Sequence, residues 1–145
     1  MKYLLDTCIV SEYLKKNPNK KVIEWLDEQE ESYLFISCLT IAELKKGFYK
    51  LCEKDPIQLG SKAEKIALWL ERIEKRFQNR VLPLNNGTLH NWAKLNGQSE
   101  ANSKKLPVVD SFLVATALTH NLIAVTYNEA DFKLYSKQLE ILKPN

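Results

Sequence analysis

A chain of 145 residues with 45% hydrophobic and 27% charged residues is expected to form one compact domain over 1–145, with no room for a second catalytic one. Its longest apolar run, Ile66 to Leu70, is far short of the roughly 20 residues that a membrane span needs. Asp6 interrupts the N-terminus before the apolar core of a signal peptide can form, so a cytoplasmic protein without membrane attachment is expected. Lys plus Arg is 21 against 18 for Asp plus Glu, a net charge of +3 that permits a polyanionic partner without demanding one. The three cysteines form no Cys-x-x-Cys pair, and His90 and His120 lie far from them, which argues against a disulfide framework or a zinc finger.

Tyr3-Leu4-Leu5 is expected to be a strand that stops at Asp6, and Val22, Trp25 and Leu26 make a short helical stripe. Tyr33 to Ile36 reads as a second strand, stopping at Ser37. From Thr40 a helix is expected through Ile41, Leu44, Phe48 and Leu51, then a polar loop from Lys54 to Gly60. Ile66, Leu70, Ile73 and Phe77 recur at helical spacing, opposite a charged face. Val81 to Leu84 is a strand whose Pro83 suits a sheet edge. Asn96 to Leu106 reads as a loop, and Pro107 suits the first turn of a helix through Val109, Leu113 and Ala117. Leu122 to Val125 is the fourth strand. Leu139 to Leu142, with Glu140 inside it, is a fifth that fits an edge. Continuous apolar runs of this length fit parallel strands buried on both faces. Their alternation with helices predicts an α/β fold, a three-layer α/β/α sandwich.

Acidic residues fall at the ends of these strands. Asp6 follows the first, Glu43 lies just beyond the second, Asp110 is in the first turn of the helix before the fourth, and Asn128 and Asp131 follow the fourth. In an open parallel sheet, ligands bind outside the carboxyl ends of the strands. Each position also has a plain structural reading. Thr40-Ile-Ala-Glu43 matches a capping box, Asn128 to Asp131 is a looser form of one, and Asp110 suits the positive end of a helix dipole. Asp6 is harder to explain so, because a carboxylate after a buried central strand costs several kcal/mol unless hydrogen bonds or a cation compensate it. Hard cations such as Mg²⁺ and Mn²⁺ prefer such oxygen ligands, and no glycine-rich phosphate loop competes.

Four segments resemble, in order, the motifs of PIN-domain proteins of the VapC-like toxin type. They are Leu4-Leu5-Asp6-Thr7, the run SCLTIAELKKG from Ser37 to Gly47, VDSFLVATA from Val109 to Ala117, and VTYNEADF from Val125 to Phe132. The resemblance implies a five-stranded parallel sheet in the order 3-2-1-4-5 and a Mg²⁺- or Mn²⁺-dependent endoribonuclease. It also implies a homodimer and a cognate VapB-like antitoxin that covers the acidic site. By position, Asp6, Glu43 and Asp110 match metal-site acids of that family, and Asn128 and Asp131 share the fourth place. Tyr127 stands where arginine is common, and Cys8 where asparagine is common. Thr7 and Thr126 are expected to orient the carboxylates. Lys45, Lys46, Lys50, Lys104 and Lys105 are candidates for an RNA path, with a solvated surface as the plain alternative. Two other functions fit parts of this pattern: a phosphatase or phosphoacceptor with Asp6 as nucleophile, and a PIN-like binding module without catalysis.

Overall fold

The computed structural model describes residues 1–135, 141, 142 and 144. Five parallel strands form one sheet in the order β3-β2-β1-β4-β5: β1 (Tyr3–Leu5), β2 (Leu34–Ser37), β3 (Val81–Leu82), β4 (Ile123–Val125) and β5 (Ile141–Leu142). The register sets Tyr3 against Leu34 and Ile123, so β1 is central and its end lies beside the ends of β2 and β4. The expected order is met. The two strands read as edges, around Pro83 and Glu140, are the edges. Pro83 lies just outside β3, and Leu139 and Glu140 lie outside the described residues.

Helices α1 (Thr7–Val10), α2 (Lys20–Glu28), α3 (Cys38–Lys54), α4 (Lys62–Arg76), α5 (Asn86–Ala101), α6 (Val108–Thr119) and α7 (Glu129–Tyr135) connect the strands. Alternate strand residues feed two separate cores. Leu5, Leu34, Ile36 and Val125 pack with Ile9, Val22, Leu26, Leu44, Leu70 and Ile73 from α1 to α4. Leu4 and Ala124, facing the other way, pack with Leu113, Val114, Ala117 and Phe132 from α6 and α7. These are the two cores of a three-layer sandwich, as the strand periodicity requires. Helix α6 is buried along Ser111 and Leu113–Ala117 because it lies between sheet and α5, which explains its nearly all-apolar sequence. Asn121 takes the left-handed conformation after it, at φ 54°, and Leu122 N–H closes on Ala117 C=O at 2.8 Å, which stops the helix and feeds β4. Among the described residues, no helix is long and apolar enough to cross a membrane.

Three expectations need correction. Asn96–Leu106 is not all loop: α5 runs to Ala101, stabilised by its packing on α6, where Trp92 stacks on Phe112 with ring centroids 4.5 Å apart. Pro107 is the cap residue before α6 rather than part of its first turn. Helix α3 starts at Cys38, not Thr40, because Ser37 at the end of β2 is the better-placed cap and accepts the Leu39 N–H at 3.1 Å.

Arg80 fastens the β2–β3 edge. Its guanidinium donates to the Glu31 and Leu34 carbonyls, both at 2.6 Å, to Glu31 Oε1 at 3.0 Å, and to the Arg76 carbonyl at the end of α4. A planar fork of donors meets several acceptors at once, which an ammonium does not reproduce. Arg80→Lys is therefore expected to lower stability by about 2 kcal/mol, since backbone carbonyls lose their partners. Urea unfolding with an unchanged m-value checks this, and a loss within error of zero would remove the edge clamp from the fold's supports.

Candidate active site

Asp6 begins the site where β1 ends. Its backbone N–H still pairs with Val125 C=O at 2.9 Å, while its side chain caps α1 by accepting the Thr7 N–H at 2.7 Å. The carboxylate is 7% exposed. Its other oxygen accepts from Thr126 Oγ1 at 2.7 Å and from Cys8 Sγ at 3.3 Å. Donors from both sides of the β1–β4 seam thus offset the desolvation that a buried carboxylate incurs. Thr126 in turn accepts the Asn128 N–H at 3.0 Å.

Thr7 links this group to α3. Its hydroxyl donates to Glu43 Oε1 at 2.7 Å and lies 3.1 Å from Thr40 Oγ1. Because the Thr7 proton is committed to Glu43, Thr40 is the donor in the second contact. The capping-box reading of Thr40 and Glu43 is thereby overturned: Thr40 is fully buried within the helix, and Glu43 is turned toward the end of β1. Thr7 and Thr126 orient one carboxylate each.

Asp110, half-buried in the first turn of α6, has its pKa pushed up to about 6, by burial first and then by the charges of Asp6, Glu43 and Asp131. The four acids therefore sense one another across the strand ends. Asp131 is exposed at the start of α7, next to Phe132, which is buried in the second core and anchors that turn. Asn128 is exposed, and it is the backbone N–H of this residue that enters the Asp6 network. Among the described residues, no three His, Cys, Asp or Glu side chains are drawn together as a ready-made metal cage. Glu43 is held by Thr7 and Asp6 by three donors, so the acids share a field without closing on one point. The donor chemistry nevertheless fits a hard divalent cation: oxygen ligands only, with the Asp110 carboxyl pushed up by burial and by the charges of the other three acids.

Sequence reasoning missed one carboxylate. Glu12 is 2% exposed and accepts from Lys15 Nζ at 2.6 Å, Asn19 N–H at 2.9 Å and the Tyr127 hydroxyl at 3.1 Å. Burial pushes its pKa up, but these hydrogen bonds and Lys15 outweigh it and hold the group below the usual carboxylate range. Tyr127, pushed up to about 12 by burial and by Glu12, stays a neutral donor. No local spacing marks Glu12, because Tyr127 reaches it from the far end of the chain. Cys8 is likewise no nucleophile: burial and the Asp6 charge push its thiol up to about 12. Of the lysines considered for an RNA path, Lys45 is occupied by Glu74 at 3.0 Å.

A groove of about 550 Å³ between α3 and α4 leads away from Thr7 and Glu43 over Phe48, Leu51, Ile66 and Trp69. Trp25 and Leu26 of α2 are spent on packing: Leu26 is buried and Trp25 meets Tyr3 edge-on at 5.1 Å.

The family model for the PIN domain matches residues 3–138, and the chain belongs to the PIN-domain family. It is 29% identical over 133 residues to Toxin FitB of Neisseria gonorrhoeae, covering 89% of each chain. It is 26% identical over 145 residues to VapC ribonuclease Y4jK of Sinorhizobium fredii, covering 97% of this chain and 96% of the relative. Among solved structures, that of FitAcB from Neisseria gonorrhoeae superimposes with a TM-score of 0.84 at 27% identity, over 98% of this chain and 97% of the other. The fold and the family expected from the sequence are both met.

The raised Asp110 pKa has a measurable consequence. The folded protein binds a proton there that the unfolded chain, with a carboxyl near 3.9, releases. Without added metal, stability should therefore rise as pH falls from about 7 through 6 toward the unfolded value. Asp110→Asn should remove that slope and be more stable than the parent at pH 8 by ~1 kcal/mol, after discounting for a half-exposed group. Thermal melts in chelator across this range check it. A parent whose stability falls steadily over the same interval would mean that the acids do not share a field.

Proposed function

We propose that residues 1–145 form a single PIN-like domain acting as a metal-dependent endoribonuclease, the toxin of a toxin–antitoxin pair in the cytoplasm. The observation that carries this reading is the gathering of Asp6, Glu43, Asp110 and Asp131 at one edge of the sheet, where burial first and then the charges of the other three raise Asp110 to about 6. Asp6, Glu43, Asp110 and Asp131 would hold Mg²⁺ or Mn²⁺. When bound, the cation supplies an activated water and neutralises charge on the phosphodiester. The chain's own residues prepare for it. Thr126 and the Thr7 N–H fix the two oxygens of Asp6, Thr7 fixes Glu43, and Phe132 anchors the turn that carries Asp131. Asn128 is the accessory polar group beside Asp131. The name VapC ribonuclease for one relative supports RNA as substrate. The phosphatase alternative is less well served, since that class usually carries a second aspartate two residues after the first and position 8 is cysteine.

The α3–α4 groove is the proposed seat of a VapB-like antitoxin, because an apolar trough ending at Thr7 and Glu43 lets one partner segment cover the acids. The name Toxin FitB for one relative supports the toxin role that such a partner would hold in check, and a homodimer of this chain completes the proposed assembly.

Cleavage of a generic RNA should require Mg²⁺ or Mn²⁺ and stop in EDTA. Asp6→Asn should abolish it, and should also lower the stability of the metal-free protein, because an amide nitrogen replaces one of the two acceptor oxygens that face the Thr7 N–H and the Thr126 hydroxyl. Thr7→Val, which removes the Glu43 hydrogen bond at nearly constant volume, should reduce kcat by roughly ten- to a hundredfold, the equivalent of ~1.4–2.8 kcal/mol. Undiminished cleavage in EDTA by a preparation free of other nucleases would sink the metal-dependent reading. Full activity of Asp6→Asn in Mg²⁺ would remove Asp6 from the proposed site, and no cleavage by the parent with either metal would leave the non-catalytic module as the better description.

A further inference from the structure

Two hollows flank the carboxylate cluster, and they differ in kind. The α3–α4 groove is lined by Leu44, Phe48, Leu51, Ile66 and Trp69 together with Lys50, Lys54 and Lys62, so its apolar part suits the side chains of a protein segment. On the α7 side, a smaller cavity of about 250 Å³ is lined by Ser103, Lys104, Lys105 and Leu106, with Asp131 and Leu134. Asp131 is one of the acids whose charge raises Asp110, so this cavity opens onto the edge of the cluster.

The turn that carries the lysines is held in shape. Lys104 N–H donates to the Ser99 carbonyl at 2.8 Å, the buried Ser99 hydroxyl donates to the Lys104 carbonyl, and Ser103 sits in the left-handed region at φ 57°. Both ammonium groups stay in solvent. The ion pairs among the described residues engage Lys15, Lys45, Arg76 and Arg80, not Lys104 or Lys105. An unneutralised pair of cations across a cavity from a carboxylate cluster has an evident electrostatic use. A phosphodiester approaching the acids is repelled, and two fixed cations at the rim offset that repulsion for the adjoining phosphates.

We infer that Lys104 and Lys105 form a phosphate-binding wall for single-stranded RNA on the α7 side of the site. The inference rests on the ribonuclease reading and adds to it the direction in which the substrate backbone runs. The α3–α4 groove is then free for a protein partner, and the two ligands approach the acids from different sides.

The test is the salt dependence of RNA binding, read by fluorescence anisotropy with a short single-stranded RNA. All variants carry Asp6→Asn so that the RNA stays intact. Two phosphate contacts on a single strand contribute about 1.4 to the slope of log affinity against log salt. Lys104→Ala with Lys105→Ala should lower the slope by about that amount, and Lys104→Arg with Lys105→Arg should keep it. An unchanged slope in the double alanine variant, with RNA still bound, would overturn this inference and leave the ribonuclease reading intact. If Asp6→Asn protein binds no RNA at low salt, both fall together. A double alanine variant that keeps the slope but no longer binds the antitoxin would give the lysines to the protein partner instead, and would equally overturn the wall.

Discussion

The burial of Asp6 at the end of the central strand is the constraint on which the rest of the site depends. A carboxylate that is 7% exposed needs donors. The chain supplies them from the two segments that meet there, Thr7 and Cys8 after β1 and Thr126 after β4. That solution works only if β1 and β4 are neighbours in register, as the pairing of Leu5 with Val125 provides. Thr7 then carries the arrangement to α3 through Glu43, and Thr126 carries it to the α7 turn through Asn128. Solvating one charge thus orders three elements around it.

What remains uncompensated is equally informative. Asp6, Glu43 and Glu12 each have specific donors, whereas Asp110 has burial and three like charges working against its ionised form. A fold selected for stability alone has no reason to keep such a group. Asp110→Asn removes the conflict with hardly any change of shape, so a carboxylate kept at this position supports the proposed cation-binding role.

Much of this was legible in the sequence, and the parts that were not share a cause. The strands stand out as unbroken apolar runs, and Asp6 stands out because nothing nearby in sequence explains a charge there. Three of the four acids are marked in the sequence by their position after strands, and Asp110 by its place in the first turn of α6. Where reading failed, the deciding contact was distant. Thr40 and Glu43 have the spacing of a capping box, yet Ser37 took the cap and Thr7, 36 positions before Glu43, took the glutamate. Helix α5 contains Asn, Gly and Ser enough to resemble a loop, and it is helical because α6 offers a surface for it. Glu12 carries no local mark at all, since its partner Tyr127 lies 115 positions away.

Tyr127 shows how a departure from the commoner family residue can preserve geometry while changing charge. An arginine there would reach the same region as a cation, whereas the tyrosine hydroxyl gives Glu12 a hydrogen bond at 3.1 Å and no charge. Lys15 is then the cation bonded to Glu12. The Glu12 carboxylate stays ionised because the Asn19 N–H, Lys15 and Tyr127 together outweigh its burial. The 126–128 turn therefore keeps its place under Asp6 without bringing positive charge to the acidic edge. A site built this way has less internal neutralisation than one with arginine at 127, so its acids repel one another more fully. That surplus of negative charge is what the proposed cation within the cluster, and the cationic side chains of Lys104 and Lys105 at its rim, would balance.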